Sequence, residues 1–156
     1  MDARRAVEWL RPLACLWAVA SGACAPTPSA QYLPKITIQI AGHPLVVEIA
    51  RTPEERRAGL MHRRALGPDD GMLFAFPTDL PFGFFMKDTT LPLSVAFIGS
   101  NGRIVNLADM EPLTAEMHYC RTPCRYALEM PRGWFAEHGV KEGDLVLLPA
   151  DLGRIE

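Results

Sequence analysis

The residues best suited to chemistry fall in two short stretches. In the first, Lys87, Asp88 and Thr89 stand together between apolar runs, with Arg63 a short way upstream. Two cations, a carboxylate and a hydroxyl walled by Met72, Phe84 and Phe85 could hold an anionic or carbonyl-bearing ligand, because small-ligand sites are mostly apolar with few placed polar groups. The same set could also serve proton transfer or oxyanion stabilisation. A plainer alternative stands beside these: Asp88 and Thr89 form a turn and Lys87 extends to solvent. In the second stretch, "HYCRTPC", Cys120 and Cys124 lie four residues apart, a spacing that a turn containing Pro123 can close into a disulfide. His118, Cys120 and Cys124, with Met117 and Met110 nearby, also offer soft ligands of the type copper(I) favours. Both readings remain open at this level.

These residues need a frame, and the pattern around them is mostly β. "KITIQI" (35–40) alternates strictly, with Ile36, Ile38 and Ile40 on one face, and "LVVEIA" (45–50) returns after a turn as a hairpin. "TPEE" predicts a helix start, with Thr52 as N-cap, Pro53 in the first position and Glu55 completing a capping box. That helix is expected to reach about Met61, with Gly59 implying close packing. Strands are expected at 72–76, 82–87, 93–98, 103–110, 125–130 and 143–149, with "PTDLP" a loop, 111–124 irregular, and a helical turn at "GWFAEHG". In 125–130, Tyr126, Leu128 and Met130 are in phase. The fold class is therefore mainly β with one or two short helices (α+β), a compact and mainly antiparallel barrel-like or sandwich domain.

The strings "EERRAGLMHRRAL", "GMLFAF", "FFMKDTTLPLSVAFI", "GRIVNL" and "YALEMPRGWFAEHGVKEGD" run in order through 54–144. In that order and spacing they resemble domain-of-unknown-function family 192 (DUF192, UPF0127-like). The resemblance implies a compact β-barrel-like domain over about 35–150 and no established activity. The family usually carries Trp, Asn and Asp where this chain has Phe85, Asp88 and Ser94. A catalytic or metal-binding role for the family's aspartate would thus be missing at Ser94.

The whole chain sets the setting. Its 156 residues leave room for one domain and about thirty more at the N-terminus. Fourteen prolines and twelve glycines favour short segments, and a net charge of −2 gives no basic field for nucleic acid. Residues 1–23 have the order of a signal peptide: Arg4, Arg5 and Arg11, the apolar "LACLWAVA", then small residues. "SGAC" resembles a lipobox with Cys24 as the acylated residue, and the proline-rich 24–34 suits a tether; cleavage after Ala18-x-Ala20 would instead release a soluble protein. No catalytic triad order, phosphate loop or zinc-protease motif occurs, and no cofactor is expected. The expectation is an exported, periplasmic, monomeric β-domain that binds a small ligand or an envelope protein without catalysis, with membrane association only through the lipid. An enzyme using Lys87, Asp88 and Arg63, and a copper binder using His118, Cys120 and Cys124, are the alternatives.

Overall fold

A computed structural model describes residues 32–156; the expected signal peptide, Cys24 and most of the linker lie outside the described residues. The strands are β1 (Lys35–Ile40), β2 (His43–Ala50), β3 (Met72–Leu80), β4 (Gly83–Phe84), β5 (Leu93–Ile98), β6 (Ile104–Met110), β7 (His118–Tyr119), β8 (Cys124–Pro131) and β9 (Val146–Leu147). Two short helices, α1 (Pro53–Ala58) and α2 (Trp134–Glu137), complete the elements. Seven strands form one sheet in the order β6-β5-β8-β3-β2-β1-β9, and β4 pairs with β7 in a second, two-stranded sheet. All ladders are antiparallel except β2–β3, where Glu48, Ile49 and Ala50 oppose Met72, Leu73 and Phe74 in parallel. A parallel pair needs a crossover, and α1 lies within it.

The two edges of the large sheet meet at one end. Arg103 bridges Leu145, and the Val146 N–H donates to the Gly102 carbonyl at 2.8 Å. The sheet therefore curls into a partly closed barrel. Its concave face holds Ile38, Ile40, Val47, Leu73, Ala96, Leu128 and Val146, with Trp134 and Phe135 of α2 packed against them. The convex face carries a second apolar layer, including Met72, Phe74, Val95, Phe97 and Ala127, covered by Leu60 and Met86. The middle strands are thus buried on both faces. Among the described residues, no helix is long and apolar enough to cross a membrane.

The structure departs from the sequence pattern at five places. The helix stops at Ala58 because Gly59 takes φ +45°, where a Cβ would lie 3.3 Å from the Phe74 ring. Strand β3 continues through Pro77 to Leu80, where a loop is expected. Proline is tolerated there because β2 pairs only as far as Phe74, leaving that edge of β3 without a partner strand. Of the expected 82–87 strand only Gly83–Phe84 is extended and paired, and of 143–149 only Val146–Leu147. The irregular 111–124 contains β7, which pairs with β4; the two form a flap over the convex face.

Candidate functional site

Under the flap lies a cavity of about 240 Å³. Its walls are Phe74 and Phe76 of β3, Phe82 to Phe85 around β4, and the 56–61 stretch of α1 with its C-terminal turn. The rings pack edge to face and in stacks: Phe74 on Phe84 at 4.7 Å, Phe76 on Phe82 at 4.1 Å. Aromatic edges and faces pair favourably in these arrangements, which stiffens the wall. Three kinds of polar group interrupt it: the Arg56 and Arg57 side chains, the buried Thr89 and the buried Glu129. Arg56 is held in place. Its guanidinium donates to the carbonyls of Arg51, Ala75 and Glu156 and lies 4.8 Å over the Phe76 ring. Arg57 is exposed.

Glu129 is the residue of most chemical interest. It sits mid-strand in β8, directly opposite Met72 of β3 and Val95 of β5, and is 5% exposed. Among the described residues no donor reaches its carboxyl group, and what access it has opens into the cavity. Burial without a compensating charge disfavours the carboxylate and pushes its pKa up to about 8. At neutral pH this side chain is mostly a neutral acid. Sequence reading passed over it because Tyr126, Leu128 and Met130 define the core phase of 125–130, which assigns Glu129 to the opposite face. The available signal was a carboxylate flanked on both sides by apolar residues in a strand of the last family-matching string, 126–144.

The residues singled out by sequence do not converge as one cluster. Arg63 is 3% exposed and donates from both terminal nitrogens to the Glu48 carboxylate, at 2.8 and 2.7 Å. The Leu33 N–H donates to the same carboxylate, and the Tyr32 ring stacks 4.1 Å from the guanidinium. Arg63 therefore secures the point where the N-terminal segment enters the domain. Met72 is fully buried between Glu48 on one side and Glu129 on the other, beside the cavity floor. Phe84 and Phe85 line the cavity, the latter 40% exposed at the rim.

Lys87 and Asp88 are the exposed centre of a turn closed by the Thr89 N–H on the Met86 carbonyl at 3.1 Å. Asp88 has φ +56°, a region that Asn and Asp tolerate better than other side chains. The plainer alternative thus describes Lys87 and Asp88, and Thr89 is the member of the triplet that lines the cavity. Ser94 donates to Asp109, its cross-strand partner on β6, and accepts from the Gly133 N–H at 2.9 Å. The carboxylate expected at 94 is thus supplied from the neighbouring strand.

Cys120 and Cys124 form a disulfide with a Cα–Cα distance of 6.4 Å. It joins the end of the flap to the start of β8, and the Cys120 N–H also donates to the Phe82 carbonyl. The bond occupies both sulfurs, so the copper(I) reading applies only to a reduced protein. Among the described residues no three His, Cys, Asp or Glu side chains are placed to share a metal ion.

Residues 36–148 match the family model DUF192, described as "Uncharacterized ACR, COG1430". The chain belongs to the DUF192 family. A solved structure from Sinorhizobium meliloti 1021, named as a candidate transcription regulator, is 36% identical, with a TM-score of 0.71 over 74% of this chain and 95% of that one. A protein of unknown function from Novosphingobium aromaticivorans DSM 12444 is 30% identical, with a TM-score of 0.70 over 74% of this chain and 86% of that one. No curated protein matches the chain.

Proposed function

We propose that this DUF192 domain binds a small, mostly apolar molecule in the cavity between α1, β3 and the flap. We further propose that it does so in the periplasm, exported by residues 1–23 and tethered through Cys24. The observation that carries the ligand reading is a phenylalanine-walled cavity with an unpaired, buried carboxyl group at its floor. Leaving a polar group buried without a partner costs roughly 1–3 kcal/mol, a cost that a ligand can offset on binding. At about 240 Å³ the cavity is below the usual range of drug-sized pockets (roughly 300–1,000 Å³), so the ligand is small. The disulfide supports the compartment, since such bonds persist in oxidising environments. Nucleic acid is not part of the proposal: the net charge is −2, and Arg63, Arg121, Arg125 and Arg132 are engaged with carboxylates or carbonyls.

Titration with butylbenzene, followed by NMR of the phenylalanine rings and methionine methyls, tests the cavity. Resonances of Phe74, Phe84 and Met61 should shift saturably. Ala58→Trp, which fills the mouth from α1, should abolish those shifts. Shifts equal in the two proteins reject binding in this cavity, and shifts absent both with butylbenzene and with polar analogues of its size reject the ligand reading. Membrane fractionation tests the tether: Cys24→Ser should release the protein from the membrane, and unchanged association rejects lipidation.

A further inference from the structure

The polar groups of the cavity say what kind of ligand fits, given that the cavity binds one at all. A cation is disfavoured at the mouth, where the Arg56 and Arg57 side chains lie. An anion would find those arginines, but its apolar end would then leave Glu129 buried without a partner. The remaining class is an uncharged molecule whose inner end can accept a hydrogen bond. We infer that the cavity takes an uncharged, largely apolar ligand bearing a carbonyl or similar acceptor oxygen, and that the Glu129 carboxylic acid donates the hydrogen bond that anchors it. The Thr89 hydroxyl, buried in the same wall, donates to the Lys87 carbonyl at 3.4 Å, which leaves Glu129 as the donor for that oxygen.

The surroundings keep Glu129 a donor. Met72 and Val95 flank it on β3 and β5, and Phe74 and Phe84 stand in the wall above. Thr89 is the polar contribution of the segment between β4 and β5, while Lys87 and Asp88 face solvent on the turn. The charges facing this region are Arg56 and Arg57 from α1 and, beyond Met72, the mutually neutralised Glu48–Arg63 pair. Burial therefore dominates, and the acid is protonated up to a pH of about 8. An acid held neutral in an apolar site is suited to donating to a carbonyl rather than to pairing with a cation.

The test uses four phenylalkyl probes of similar size: butylbenzene, 4-phenyl-2-butanone, 4-phenylbutan-2-amine and 3-phenylpropanoate, titrated by NMR against the disulfide-bonded protein. The ketone should bind roughly tenfold more tightly than the hydrocarbon, and both charged probes more weakly than the ketone. Ketone affinity should be level from pH 5 to 7 and fall above about pH 8 as Glu129 ionises. Glu129→Gln keeps a donor that does not titrate, so it should bind the ketone with a flat pH profile; Glu129→Leu should lose the preference for ketone over hydrocarbon. Near-UV circular dichroism confirms that both variants fold.

If the hydrocarbon binds as well as the ketone, or the amine binds better, or ketone affinity rises with pH, the donor inference is overturned while ligand binding stands. The same holds if Glu129→Gln loses the ketone. If none of the four probes binds, the ligand-binding reading itself falls.

Discussion

Glu48, Met72, Glu129 and Val95 form one row across β2, β3, β8 and β5, and the two glutamates in it meet burial in opposite ways. Glu48 is matched by two Arg63 donors and the Leu33 N–H. Removing one partner of such a pair leaves the other charge buried and alone, so Arg63→Met should destabilise by about 3–5 kcal/mol in urea unfolding. A cost under 1 kcal/mol would mean that the pair is not buried as described. Glu129 has no such match, and its sign is reversed. Its folded pKa, about 8, lies above the ordinary 4.5, so the native state holds the proton more tightly than the unfolded chain. Its contribution is therefore fully present below pH 4.5 and is lost as pH rises towards 8, at up to about 1.4 kcal/mol per unit. Glu129→Gln should remove that slope and be the more stable protein at pH 8, though not at pH 4. Equal pH dependence in the two proteins would contradict the raised pKa.

The elements around the site differ in how far local sequence specifies them. The start of α1 was legible because a capping box is short-range chemistry: Thr52 Oγ1 accepts from the Glu55 N–H, and Glu55 accepts from the Thr52 N–H. The strands of the large sheet were legible for a similar reason, since alternation and apolar runs are written within six to eight residues. The flap was not. Its two strands are two residues each and pair across more than thirty positions, so neither carries a period that a reader could detect. Glu129 was hidden by the same gap between local and tertiary information, because alternation gives the phase of β8 but not what covers its second face. Arg63, read from sequence as a ligand contact, is buried against Glu48, a partner no spacing revealed, and does not line the cavity. The disulfide was legible, and it fixes the flap that sequence missed. It closes a loop of only five residues, so its loss should cost about 2 kcal/mol globally. Local effects should be larger. In Cys120→Ser/Cys124→Ser, amide exchange should rise most at Phe84 and Tyr119 and weaken probe binding, while β1 and β2 stay protected. A uniform rise across the domain would show that the flap is not a separate unit.

At the scale of the whole molecule, the curled sheet gives each face its own task. The concave face closes on itself and carries the larger core, which leaves the convex face to be covered by short pieces, α1 and the flap, with a cavity between them. The composition pointed to a barrel-like β domain, but closure depends on a contact that composition does not contain. Gly102 has φ +76°, and a Cβ there would lie 2.8 Å from the Val146 carbonyl oxygen, in the seam where 102–104 meets 143–146. Gly42, in the β1–β2 turn at φ +85°, has open space around its Cβ position. Alanine at Gly42 therefore reports backbone strain alone, about 1 kcal/mol. Alanine at Gly102 adds the clash and displaces the seam, so it should cost about 2 kcal/mol more. It should also expose the Val146 amide to exchange ahead of the sheet centre. If closure matters to the site, Gly102→Ala should leave butylbenzene binding intact at low temperature and lose it on warming before β5 and β8 exchange. Matching costs for the two alanine variants would mean that the seam adds nothing to stability, and the convex face would then have to be held by α1 and the flap alone.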